Sequence, residues 1–217
     1  MIINCLLFDR LTTLDAIGPM TVLSRLPDVE VNYIGLQKGL IRSVESKLGL
    51  MIDHNLSSAP GCDILIVPGG PGIRDLLHNQ PLLTFIKNTC DSAKWTASIC
   101  TGSLLLGAAG LLQGKKATTH WNVLNDLKKY GATPVSERVV IEGNLIMGAG
   151  VAAGIDMALT LSSMIESEKT ARAIQLKIEY DPAPPFNGGS PSKESTEVIA
   201  LARGGLQAKV NKRSSSN

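Results

Sequence analysis

Aromatic side chains are scarce in this chain of 217 residues, at 4%. A core without aromatic bulk has to be filled by close approach of helix to sheet, which abundant glycine and alanine permit. Histidine is scarce too. His54, His78 and His120 lie far apart, no HExxH occurs, and Cys5, Cys62, Cys90 and Cys100 form neither a CxxC pair nor a zinc-ribbon spacing. No metal site is expected. Lys and Arg do not gather until Lys209, Lys212 and Arg213, in a Ser-rich terminus that reads as a frayed tail. With a net charge of only +2 there is no basic stripe for nucleic acid. No window reaches the length of a membrane span. The apolar run Ile2 to Phe8 is cut off by Asp9 and Arg10 and has no basic flank before it, so a signal peptide is not expected. The expected setting is the cytosol, where four cysteines stay as thiols.

What is present is a globular composition, 44% hydrophobic, and apolar strand-like runs that alternate with helical patterns. Ile2 to Phe8 reads as a buried strand, Leu14 to Leu26 as a helix that Gly18 and Pro19 kink or delay, and Val29 to Leu36 as a strand. Residues 41 to 54 hold one or two short strands. Ile64 to Val67 is a buried strand ended by Pro68-Gly69-Gly70-Pro71-Gly72. Short helices follow over Ile73 to Leu77 and from Pro81 to about Asp91. Trp95 to Ile99 is the next strand, and Gly102 to Leu112 a very apolar helix stopped by Gly114. Ala117 to His120 reads as a strand and Asn122 to Tyr130 as an amphipathic helix stopped by Gly131. Arg138 to Ile141 and Asn144 to Met147 flank a hairpin signal at Glu142-Gly143. Ala152 to Ile165 and Lys169 to Tyr180 are helices, residues 181 to 191 (DPAPPFNGGSP) exclude regular structure, and a last helix runs from Thr196 to about Lys209. Such alternation implies an α/β domain with a mostly parallel central sheet covered on both faces. Its ligands bind beyond the carboxyl ends of the strands. The division expected is a domain over 1–191, including the Pro-rich arm 181–191, and a C-terminal helix and tail over 192–217. The arm is expected to pack on the protein surface or on a partner subunit.

Cys100 stands where an apolar strand turns sharply into a helix, the arrangement of a nucleophile elbow. Helix-start amides and the positive end of the helix dipole then favour thiolate over thiol. The alternative, a cysteine buried as a small hydrophobe, suits Cys5 better, since it lies in mid-strand. The 68–72 turn offers backbone N–H donors near a neighbouring strand end. It lacks the GK[ST] of a phosphate loop, and Asp75 stands where a dinucleotide fingerprint needs its third glycine. The segment Gly148 to Gly154 resembles the same fingerprint with one residue too many, and reads as close backbone approach. Asp15, at the head of a helix, has the ordinary reading of an N-cap; the residues alone favour it.

These segments together resemble the isonitrile hydratase branch of the ThiJ/PfpI superfamily. The matching stretches are LDAIGP, ILIVPGGPG, SICTGSLLLGAAGLLQGKKATTHW, GNLIMGAGVAAGIDMALTL and IEYDPAPPFNGGSP, from about residue 8 to about residue 191. The resemblance implies a flavodoxin-like three-layer sandwich, a homodimer, and hydration of isonitriles without cofactor or metal. It implies Cys100 as nucleophile, Asp15 as the acid/base beside it, and Thr101 orienting or donating to the sulfur. Gly70 and Gly72 would supply the donor pocket, and His120 would lie near it. Protease-like members carry His directly after the cysteine, where this chain has Thr101. Glyoxalase and redox-sensing members carry Glu where it has Asp15. The rival readings are an aldehyde-acting hydratase or deglycase on the same fold, and a non-enzymatic cysteine oxidation sensor or chaperone. A third, the sensing domain of a transcription regulator, would need a helix-turn-helix for which the residues after Pro191 are too few.

Overall fold

The computed structural model describes residues 1–44 and 48–205. In chain order its elements are β1 (Ile2–Leu6), α1 (Thr13–Leu23), β2 (Glu30–Gly35), β3 (Gly39–Arg42), β4 (Gly49–Ile52), β5 (His54–Asn55), β6 (Ile64–Val67), α2 (Ile73–Leu76) and α3 (Gln80–Ser92). They continue with β7 (Trp95–Ile99), α4 (Gly102–Ala108), β8 (Lys116–Ala117), a 3-10 segment (Trp121–Tyr130), β9 (Thr133–Pro134), β10 (Val139–Glu142), β11 (Leu145–Gly148), α5 (Ala153–Ile165) and α6 (Glu168–Lys177). The contacts divide the chain after Tyr180, earlier than the division after Pro191 that the sequence suggests. The second unit has no regular structure from Asp181 to Ser190. A short 3-10 turn (Pro191–Lys193), α7 (Thr196–Ala200) and a π turn (Leu201–Gly205) follow. Its helix is capped by Ser195, whose hydroxyl accepts from the Val198 N–H. The part of the expected last helix beyond Gly205, and the basic tail, lie outside the described residues.

Seven strands form the central sheet in the order β10-β11-β7-β6-β1-β2-β5. Every pair is parallel except β10 with β11. The inner strands are apolar without alternation, and all four residues of β6 are fully buried; a strand covered on both faces needs that pattern. β1 connects to β2 on one side, whereas β6 connects to β7 on the other. Right-handed crossovers therefore place α1 and α3 on opposite faces. α5 packs on α1 and α6 on α5, while α2 and α3 pack on α4. The result is the flavodoxin-like three-layer arrangement.

α3 shows how local sequence sets an element. The Asn79 side chain accepts from the Leu82 N–H at 3.0 Å, Pro81 occupies the first turn, and Leu82, Leu83, Ile86 and Cys90 bury one face. α1 runs unbroken past Pro19, where the sequence suggests a kink or delay. Pro19 is buried close to Gly154 of α5, so packing offsets the missing amide. Four further segments differ from expectation. Gly39–Arg42 and Gly49–Ile52 pair antiparallel outside the main sheet. The strand over Ala117 to His120 shrinks to Lys116–Ala117, paired with Thr133–Pro134. The amphipathic 121–130 stretch is 3-10, interrupted at Val123 and closed by left-handed Gly131. α4 stops at Ala108, short of Leu112, and Gly110 then takes φ +81°.

α4 lies against the end of β6, and Gly102 makes that approach possible: a Cβ there would stand 2.1 Å from the Val67 carbonyl oxygen. Gly102→Ala is expected to destabilise the fold by about 1–3 kcal/mol. Gly61→Ala, where a Cβ meets nothing within 4 Å, should stay within about 0.5 kcal/mol. Urea denaturation of the two variants checks this. Equal midpoints would contradict the packing argument.

Candidate active site

The chain leaves β1 in one direction and β6 in the other, so a crevice opens between their carboxyl ends. Three short segments meet there: residues 9–15 after β1, residues 68–72 after β6, and Cys100 after β7. The first two are stitched together by backbone bonds, Thr12 N–H to Gly69 O at 3.0 Å and Gly72 N–H to Arg10 O at 3.2 Å. An ion pair between Arg10 and Asp75 lies beside them.

Cys100 has φ +56°, a left-handed conformation that costs a side chain with a Cβ about 1–2 kcal/mol. It is held from both sides. Its N–H donates to Gly148 O at 3.0 Å, and its carbonyl accepts from the Thr119 hydroxyl at 2.7 Å. The turn places the sulfur, 5% exposed, against Asp15 and Thr101. Burial and the Asp15 charge act on the sulfur in one sense and Thr101 in the other, while the Thr101 hydroxyl itself donates to Gly70 O at 3.3 Å.

Asp15 is fully buried in the first turn of α1. It does not cap that helix: Thr12 holds the N-cap position. The Asp15 Oδ2 instead accepts from the Gly69 N–H at 3.0 Å. A Cβ on Gly69 would stand 2.5 Å from the Thr101 nitrogen and 2.9 Å from Asp15 Oδ2, so a larger residue would drive the two sides of the site apart. The sequence did not single out Gly69 from its glycine neighbours.

The ionisation state differs from the expectation of a thiolate. Burial and then the charge of Asp15 push the Cys100 thiol well above its ordinary value, against the lowering by the two Thr101 hydrogen bonds. A helix terminus stabilises an anion by about 0.3–1 kcal/mol, whereas taking a charge out of water costs several kcal/mol. Desolvation is the larger effect, so the shift runs upward.

The donor pocket expected at Gly70 and Gly72 is corrected as well. The Gly70 N–H donates to the Thr101 hydroxyl at 2.9 Å and the Gly72 N–H to Arg10 O. A Cβ at Gly72 would stand 2.0 Å from Asp9 O. These amides brace the loops. His120 caps the 3-10 segment, its Nδ1 accepting from the Asn122 N–H at 3.3 Å, and its ring packs at a tilt on Trp121. Burial lowers its pKa, so the ring is neutral near pH 7. Of the Gly148 to Gly154 glycines, a Cβ at Gly154 would stand 3.2–3.3 Å from the Pro19 and Ile99 side chains, as close backbone approach requires, while a Cβ at Gly150 meets nothing within 4 Å.

The other cysteines differ from Cys100 in setting. Burial alone pushes Cys5 up to about 12 and leads the rise of Cys62 to about 11. Neither has a carboxylate as hydrogen-bond acceptor among the causes of its shift. A cleft of about 350 Å³ opens beside the hairpin, lined by Phe8, Arg10, Lys38, Leu40, Gly72 and Asp75 among others; Cys100 does not line it. Among the described residues, no cluster of three or more His, Cys, Asp or Glu could hold a metal ion, and no helix is long and apolar enough to cross a membrane.

Residues 2–164 match the DJ-1/PfpI family. The isonitrile hydratase of Pseudomonas putida is 45% identical over 203 residues, 93% of this chain and 88% of its own length. A crystal structure of a ThiJ/PfpI family protein from Pseudomonas syringae superposes with a TM-score of 0.89 at 34% identity, covering 97% of this chain and 87% of that one. Schizosaccharomyces pombe DJ-1 shares the fold, with a TM-score of 0.72 at 20% identity over 85% of this chain.

If the Asp15 charge raises the thiol, removing it must lower the pH at which Cys100 ionises. Asp15→Asn is expected to move the midpoint of Cys100 alkylation by iodoacetamide down by about 1–3 pH units, read by peptide mass mapping. A midpoint that stays or rises would refute the assignment.

Proposed function

The chain belongs to the DJ-1/PfpI family, and on that premise we propose that it hydrates isonitriles to N-substituted formamides, with Cys100 as nucleophile and Asp15 as general acid and base. The observation that carries this reading is a cysteine in a left-handed strand-to-helix turn, set beside a fully buried carboxylate whose charge acts on its sulfur.

An isonitrile, R–N≡C, has a terminal carbon that accepts a nucleophile and, once attacked, carries the negative charge itself. The reaction therefore needs a soft nucleophile and a proton source on one carbon. The Cys100–Asp15 pair holds one proton suited to this use. Asp15 takes the thiol proton as the C–S bond forms and passes it to the same carbon, giving the thioimidate R–N=CH–S–Cys100. Water then adds to that carbon with Asp15 as base. The C–S bond breaks, the sulfur regains a proton, and R–NH–CHO leaves. No group outside this chain, the isonitrile and water is consumed. Thr101 braces the elbow through its hydroxyl, which is paired with the Gly70 backbone, and Gly69 fixes one carboxylate oxygen so that the other serves the proton.

The rival readings fit less well. A peroxide sensor needs an exposed, readily ionised thiol, whereas Cys100 is buried and its surroundings shift it upward. An aldehyde-acting member would lean on the longer Glu, and Asp15 is one methylene shorter. The assembly proposed is a homodimer through the β3–β4 hairpin. Leu40 and Met51 stand directly opposite one another on its outer face, each 56% exposed, and such an apolar pair favours cover by a second copy. Light scattering that gives the mass of one chain counts against the dimer.

The activity is tested by a formamide-product assay with a small aliphatic isonitrile. Cys100→Ala is expected to abolish turnover. Asp15→Asn is expected to lower it about 10²–10⁴-fold, the range of general acid–base help. Full activity in either variant overturns the reading, and turnover of methylglyoxal without that of the isonitrile would favour the aldehyde alternative.

A further inference from the structure

We propose that Thr119 is the positioning residue that aims Cys100 at Asp15. Its hydroxyl is buried and donates to the Cys100 carbonyl at 2.7 Å. In its left-handed conformation Cys100 turns that carbonyl out of the strand ladder, and the first helical bond of α4 starts one residue later, from Leu104 N–H to Thr101 O. Thr119 therefore supplies the donor that the regular elements do not. With the Cys100 N–H tied to Gly148 O, both peptide groups of the nucleophile are fixed, and with them the direction of its Cβ–Sγ bond.

The donor is itself held rigidly. Ser103 of α4 donates to the Thr118 carbonyl at 2.7 Å and lies 3.0 Å from the Ser98 hydroxyl of β7. The Thr118 hydroxyl donates to Glu137 O at 2.9 Å. The segment after β8 is thus pinned to the helix, to the strand that carry Cys100 between them, and to the loop before β10. These bonds explain why the strand stops at Ala117. The next two residues spend their hydroxyls on carbonyls remote in sequence.

The kinetic arm of the test rests on the proposed activity; the chemical arm does not. The downward shift of the Cys100 alkylation midpoint caused by Asp15→Asn is measured in three backgrounds: Thr119→Val, which keeps shape and loses the donor, Thr119→Ser, which keeps the donor, and Thr118→Val, which removes a comparable buried hydroxyl bond that does not touch Cys100. The shift should collapse in the first and persist in the other two, because only the first uncouples sulfur from carboxylate. If Thr119→Val does not fold, Thr119→Ala carries the same expectation. For turnover, Thr119→Val should lower kcat about 10- to 100-fold with little change in KM, and Thr119→Ser should recover most of it. An undiminished shift with Thr119→Val, an equal collapse with Thr118→Val, or no Asp15-dependent shift in any background overturns the proposal. Absence of isonitrile turnover in the unmodified protein, with the collapse still seen, would refute the activity and leave the positioning role standing.

Discussion

A sulfur and a carboxylate buried against one another, with one proton between them, set the terms for the rest of this structure. Asp15 is fully buried and Cys100 nearly so. An ionised carboxylate in that position survives only if its oxygens are occupied. Gly69 donates to Oδ2, and the Cys100 sulfur lies within the field of the carboxylate. Each partner thus makes the burial of the other tolerable, and removing either leaves a group that the surroundings do not satisfy. The same low-polarity setting pushes the thiol upward, so a neighbouring base has more to supply here than at an exposed cysteine. That is the physical difference between this site and a peroxide-reactive thiolate on the same kind of elbow.

The contact in turn depends on backbone placed at some energetic cost. Cys100 is left-handed, Gly69 has no room for a Cβ, and Gly102 lets α4 reach the end of β6. The strained turn persists because its surroundings over-determine it: Gly148 on one side, Thr119 on the other, and the loops after β1 and β6 stitched together in front. Sheet topology supplies the location, since the reversal between β1 and β6 brings Asp15 and the 68–72 turn to one crevice and β7 delivers Cys100 beside it.

Much of this is legible in the sequence because apolar runs buried on both faces announce themselves. Ile64 to Val67 and Trp95 to Ile99 coincide with β6 and β7, and the strand-to-helix turn identifies Cys100 without any structure. Asp15 was legible only through its setting in LDAIGP; local chemistry alone favours an N-cap, a position that Thr12 takes. The segments that misled are those governed by side chains bonding to remote carbonyls. Thr118 and Thr119 break off a strand for Glu137 O and Cys100 O, and no periodicity encodes such bonds. Gly69 was hidden among equivalent glycines, and the donor roles expected of Gly70 and Gly72 went to Thr101 and Arg10 instead. The upward push on the thiol was not legible because helix-dipole reasoning is local, while desolvation depends on everything packed around the sulfur.

The most direct test of the account is rapid-quench mass spectrometry of the intact protein during a single turnover of a small isonitrile. An addition that loses no leaving group should appear transiently as the full mass of the isonitrile on Cys100, and it should decay at the rate at which formamide appears. Formamide released with no such adduct, or with an adduct confined to Cys5, Cys62 or Cys90, would contradict it.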